Sequence, residues 1–97
     1  MSRPIVVALY APADRPERFA KAADRADAVI LDLEDAVAPG DKDAARRNLV
    51  ASDLDPAATI VRVNPVGSAD FEKDLAALRQ TPYRTLMVAK AADPAAL

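Results

Sequence analysis

The chain has 97 residues, with 13 Lys or Arg against 15 Asp or Glu and a formal charge of -2 at pH 7. That balance gives no global attraction to nucleic acid or to an anionic membrane, so neither is expected as a partner. There is no His and no Cys, which excludes imidazole bases, thiolate ligands and disulfides and leaves any chemistry to carboxylates, Arg, Lys, Tyr and backbone groups.

Typical domains run to roughly 100–150 residues, so one domain spanning residues 1–97 is the expectation. Hydrophobic residues make up 52% of the chain, but with two Phe, two Tyr and no Trp much of that fraction is alanine and the core is thin. No segment approaches the ~18 apolar residues of a membrane span, and the N-terminal apolar run is too short for a signal peptide. A cytoplasmic protein is expected.

In chain order, Ile5 to Tyr10 is a β-branched-rich run closed by Ala11 and Pro12, as a buried strand would be. "DRPERFAKAADRA" follows, with Asp14 as N-cap, Pro16 in the first turn and Glu17 three residues after the Asp; Phe19, Ala22, Ala23 and Ala26 share a helical face. Ala28 to Leu33 is a second strand. Pro39 and Gly40 make a turn before a helix carrying Ala45 and Leu49 four apart. "TIVRVN" is a third strand, and Ser68 caps a third helix with Phe71, Leu75 and Leu78 on an apolar stripe. "TLMVAK" is a fourth strand.

The order βαβαβαβ, with nearly continuous apolar strands between amphipathic helices, predicts a parallel α/β sheet. Two architectures fit: a small doubly wound sheet, or the first half of a (β/α)₈ barrel, which needs about 250 residues. Both place sites at the C-terminal ends of strands. Polar residues gather there: Asp32, Glu34 and Asp35 after strand two, Arg62 and Asn64 at strand three, Lys90 at strand four.

Alternation puts Asp32 with Glu34 on one face and Arg62 with Asn64 on one face. Arg62 is the most informative residue, since a permanent cation in an apolar strand is costly unless paired or reserved for an anion. A structural ion bridge to Glu34 and ligand binding are both open uses for it. Asp35 is equally suited to capping the next turn, and Lys90 to solvent. Arg15, Arg18 and Lys21 read as a solvated helix face, although Arg15 and Arg18 at a helix start are also placed for a phosphate.

The segments "APADRPERFAKA", "ADAVILDLEDAVAPGDKDAAR", "VRVNP", "FEKDLAAL" and "LMVAK", in that order, resemble the N-terminal part of the citrate lyase beta subunit-like proteins of the HpcH/HpaI aldolase family. The resemblance implies the N-terminal half of a TIM barrel, usually oligomeric, with Mg²⁺ as cofactor and carbon–carbon lyase or aldolase activity on CoA thioesters such as citryl-CoA or malyl-CoA. A homo-oligomer with acyl-CoA and 2-oxo acid ligands is therefore expected. Carried over by motif, Arg62 is assigned the carboxylate and developing enolate oxygen of a 2-oxo acid, Glu34 and Asp35 the metal's water shell, and Arg15, Arg18 and Lys21 the CoA phosphates. The resemblance puts the two direct metal ligands on strands after the fourth, so none is expected in this chain. Ala89 before Lys90 departs from the family's usual Pro. The rival readings are a 2-oxo acid aldolase that uses no CoA, and a noncatalytic α/β binding or regulatory module.

Overall fold

The computed structural model describes residues 6–89. Ile5 and Lys90, each read as part of a terminal strand, lie outside the described residues. Strands β1 (Ala8–Pro12), β2 (Ala28–Asp32), β3 (Thr59–Val63) and β4 (Thr85–Val88) alternate with helices α1 (Phe19–Arg25), α2 (Lys42–Ala51) and α3 (Ala69–Leu78). The strands pair in parallel in the order β1-β2-β3-β4. The expected βαβαβαβ order and parallel α/β class are both present.

β1 begins later than its apolar run suggested. Ala11 and Pro12 belong to the strand, Pro12 standing opposite Asp32. Proline is tolerated because β1 pairs on one side only among the described residues, so no ladder hydrogen bond is lost on the other side. The helix after it also starts differently. Pro16–Arg18 form a 3₁₀ turn with Arg15 at its N-cap and no side-chain cap; Asp14 does not cap it, and its Oδ1 is buried without a hydrogen-bond partner among the described residues.

Ser68 does cap α3, its Oγ accepting from the Phe71 amide at 3.1 Å. The α3 stripe is only half as expected: Leu78 is buried, Phe71 and Leu75 are partly so, and Asp74 and Ala77 take the remaining buried positions. On α2, Ala45 and Leu49 are both fully buried.

Alternation divides the sheet into two faces. Val29, Leu31, Val61 and Val63 form one core with Phe19, Ala22, Ala45, Leu49, Ala77 and Leu78. This is the helix-covered face, where burying each large aliphatic side chain contributes on the order of 1.5–3 kcal/mol. The opposite face carries Tyr10, Ile30 and Ile60 in one row and Asp32, Arg62 and Met87 in the next, set by the pairings Tyr10 with Ile30, Ile30 with Ile60, Asp32 with Arg62 and Arg62 with Met87. No helix among the described residues is long and apolar enough to cross a membrane.

Candidate active site at the strand ends

Asp32 is the last residue of β2, and its carboxylate is fully buried. The parallel register sets Arg62 beside it on β3. Arg62 Nε donates to Oδ1 at 3.0 Å and Nη2 to Oδ2 at 2.7 Å, a two-pronged fork. The same two oxygens accept from the amides of Glu34 (2.8 Å) and Ala36 (3.0 Å). Burial pushes the Asp32 carboxyl up, but the Arg62 hydrogen bonds, the two amides and the Arg62 charge outweigh it, leaving it below the ordinary aspartate value. Arg62 is correspondingly raised, chiefly by its hydrogen bonds to Asp32.

The fork occupies one edge of the guanidinium. Its Cζ lies over the Tyr10 ring, 4.9 Å from the centroid, in a cation–π arrangement. The Tyr10 hydroxyl donates to Met87 Sδ at 3.7 Å. Nη1 has no hydrogen bond among the described residues, and Glu34 Oε1 lies 3.8 Å from Nη2. The side chains of Arg62 and Glu34 are 22% and 25% exposed. A free guanidinium edge and a carboxylate thus meet solvent at the C-terminal ends of two adjacent parallel strands.

The acidic turn after β2 is braced from behind. Lys42 Nζ donates to the carbonyls of Leu33 (3.0 Å) and Glu34 (2.9 Å). Asp35 is exposed on this turn and makes no side-chain hydrogen bond among the described residues.

Glu34 and Arg62 are therefore brought together, with Asp35 on the same turn. Glu34 is not the main ion-pair partner of Arg62, as one reading of the sequence had it; Asp32 is, because the register sets it directly opposite. Asn64 does not share an open face with Arg62. The chain turns after Val63 and buries the Asn64 amide against Asp74 and the Leu33 carbonyl. Arg15 is exposed, with Glu17 at 4.0 Å. Arg18 and Lys21 are exposed and line a groove beside β1 with Leu9 and Arg25, and no polar contact joins any of these three cations to Arg62 among the described residues. Asp32 as a hub and Tyr10 as the floor under Arg62 went unread in the sequence. Counting β1, β2 and β3 in register is the signal that could have found them.

No group of three His, Cys, Asp or Glu side chains among the described residues could hold a metal ion. Both Asp32 oxygens are already committed to Arg62 and to the amides of Glu34 and Ala36.

The HpcH/HpaI aldolase/citrate lyase family model matches residues 7–96. The chain is 58% identical over 87 residues to a citrate lyase subunit beta-like protein of Mycobacterium tuberculosis, an alignment covering 90% of this chain and 32% of that protein. It is 50% identical over 50 residues to an L-malyl-CoA/beta-methylmalyl-CoA lyase of Cereibacter sphaeroides, covering 50% of this chain and 16% of the lyase. The crystal structure of M. tuberculosis CitE in complex with magnesium, acetoacetate and coenzyme A superposes with a TM-score of 0.87 at 57% identity, over 89% of this chain and 32% of that one. The M. tuberculosis citrate lyase beta subunit complexed with oxaloacetate and magnesium superposes with a TM-score of 0.85 at 58% identity, over 87% and 38% of the two chains. The chain spans about a third of the length of the first of these relatives. With the family model covering nearly all of it, the chain belongs to the HpcH/HpaI aldolase/citrate lyase family.

Proposed function

We propose that the protein carrying this chain is a Mg²⁺-dependent carbon–carbon lyase acting on a CoA thioester of a hydroxy acid, of the citryl-CoA or malyl-CoA type. The observation that carries this reading is the Arg62 guanidinium, locked on one edge by Asp32 and open on the other at the strand ends. Relatives at 57–58% identity bind magnesium with acetoacetate and coenzyme A, or with oxaloacetate.

In this reading the free Arg62 edge binds the carboxylate of the 2-oxo acid and faces the oxygen on which negative charge develops as the carbon–carbon bond breaks. A guanidinium suits this task because it stabilises that charge without giving up its proton, and pairing with Asp32 strengthens its hold on the proton. The rigid fork and the Tyr10 ring fix its direction in advance, which is the pre-organisation such stabilisation requires.

Magnesium, when bound, supplies Lewis-acid stabilisation of the same developing charge. The described residues do not offer a set of direct ligands; Glu34 and Asp35 are candidates to accept hydrogen bonds from its waters. Arg15, Arg18 and Lys21, exposed on the turn after β1 and on α1, are the candidates for the CoA phosphates.

The test is incubation of the protein carrying this chain with citryl-CoA and with malyl-CoA in the presence of Mg²⁺, following release of acetyl-CoA. Cleavage of either supports the reading. Turnover of CoA-free substrates alone would replace it with the CoA-independent aldolase, and turnover of none would end it.

A further inference from the structure

We propose that Asp74, on α3 and outside the strand-end cluster, is a positioning residue that locks the ends of β2 and β3 together and so sets Arg62 against Glu34; the catalytic meaning of that lock rests on the reading of those two as the substrate-facing pair. Asp74 is fully buried. Its Oδ1 accepts from Arg46 Nη1 at 2.9 Å. Its Oδ2 accepts twice from Asn64, from the backbone amide at 2.8 Å and from Nδ2 at 2.7 Å. Asn64 Nδ2 donates also to the Leu33 carbonyl at 3.0 Å.

The path then reaches the site in two short steps. The Leu33 carbonyl is shared with Lys42, which grips the Glu34 carbonyl as well, while the Leu33 amide donates to the Arg62 carbonyl at 2.9 Å. Asn64 lies two residues beyond Arg62, and Leu33 immediately precedes Glu34. One buried carboxylate thus holds Asn64 on the Arg62 side of the Arg62–Glu34 gap directly, and through the Asn64 side chain reaches Leu33 on the Glu34 side.

Stability alone is a weak reason for such an arrangement. A buried ion pair recovers little beyond its own desolvation, and apolar residues of similar volume often do as well. Arg46 is already paired with Asp43 at 2.6 Å and Asp70 at 3.3 Å, so Asp74 is not needed to neutralise it. What Asp74 alone provides is two acceptor positions for Asn64, and that geometry joins the strand ends.

Asp74→Asn keeps the shape but presents a donor where either Arg46 or Asn64 requires an acceptor. Amide hydrogen exchange in this variant reads the coupling directly. The amides of Glu34 and Ala36 are bonded to Asp32, not to Asp74. Their exchange is expected to rise about tenfold or more together with that of Asn64, while the Val61 amide in the middle of β3 stays unchanged. Asp70→Asn, which removes a half-exposed partner of the same arginine, is expected to leave Glu34 and Ala36 unaltered.

A rise confined to Asn64, or an equal rise at Val61, would reduce Asp74 to a local packing role and overturn the proposal. In turnover of the CoA thioester, kcat is expected to fall at least about tenfold with KM changed less than about threefold, as for a misaligned group that acts chiefly on the transition state. If the wild type turns over no CoA thioester, the lyase reading fails and the exchange result still decides the lock. Should Asp74→Asn not fold, Asn64→Ala breaks the bond to Leu33 while leaving Asp74 paired with Arg46, and the same exchange pattern at Glu34 and Ala36 decides.

Discussion

Arg62 grips Asp32 side-on, with Nε and Nη2 each bonded to a different carboxylate oxygen at 3.0 and 2.7 Å, while the backbone of the next turn fills the remaining positions on the same two oxygens. One group therefore orients the cation and shapes the acidic turn that faces it. Asp32→Asn removes the charge and puts a donor opposite Arg62. It is expected to destabilise the protein by about 2–3 kcal/mol, near the lower end for breaking a buried pair because Arg62 retains access to water. A shift in the denaturant midpoint equivalent to less than about 0.5 kcal/mol would mean the turn holds without it. Arg62→Ala would likewise strand a buried carboxylate and is expected to destabilise the fold as well as the site.

The pH dependence follows from the same group. The folded pKa of Asp32 lies below its unfolded value, since hydrogen bonds and charge outweigh burial. Its contribution is thus fully present above the unfolded value, near pH 4, and is lost as pH falls through the folded value. Denaturant midpoints between pH 6 and pH 3 are expected to fall more steeply on the acid side for the wild type than for Asp32→Asn. Parallel curves would show that Asp32 is not linked to folding.

The alternation of apolar runs and amphipathic helices was enough to order all seven elements, because each strand is a short apolar block and each of α2 and α3 buries a recognisable face. Alternation assigns faces, however, and not stagger. Choosing Asp32 over Glu34 as the partner of Arg62 depends on a two-residue offset between β2 and β3, about 6.6 Å along the strand, which only pairing across the sheet decides. Asp14 looked like a helix cap because its spacing to Glu17 was right, yet the chain enters a 3₁₀ turn with Arg15 at φ -124° and ψ 68°. Asp74 carries no local signal of its role: its partners Arg46 and Asn64 lie 28 and 10 residues away. In the site, Arg62 and Glu34 were legible as charges at strand ends, whereas the buried and aromatic groups that aim them were not.

Ser68 offers a cleaner local test. Its hydroxyl accepts from the Phe71 amide at 3.1 Å and donates to the Pro65 carbonyl at 2.6 Å, closing the loop between Arg62's strand and α3. Ser68→Ala is expected to cost about 1 kcal/mol, read from chemical denaturation, with Ser68→Asp restoring most of it through the same cap. No loss in the alanine variant would show that the loop, not the cap, starts the helix.

Tyr10 separates ring from hydroxyl. Tyr10→Phe keeps the face under Arg62 and loses only a long contact to Met87 Sδ, so stability is expected to change by less than about 0.5 kcal/mol. Tyr10→Leu removes the ring quadrupole and is expected to cost about 0.5–1 kcal/mol. Equal effects of the two substitutions on the denaturant midpoint would assign the role to the hydroxyl.

Arg62→Lys tests the proposed binding role without emptying the site of charge. A lysine can reach Asp32 as a point charge, but it cannot occupy both carboxylate oxygens along one edge while offering a second edge to a ligand. Calorimetric titration of the protein carrying this chain with oxaloacetate in the presence of Mg²⁺ is expected to show affinity reduced at least about tenfold, the scale of one lost charge-assisted hydrogen bond. Unchanged oxaloacetate affinity would mean that the free guanidinium edge does not meet the ligand, and that Arg62 serves the fold through Asp32 alone.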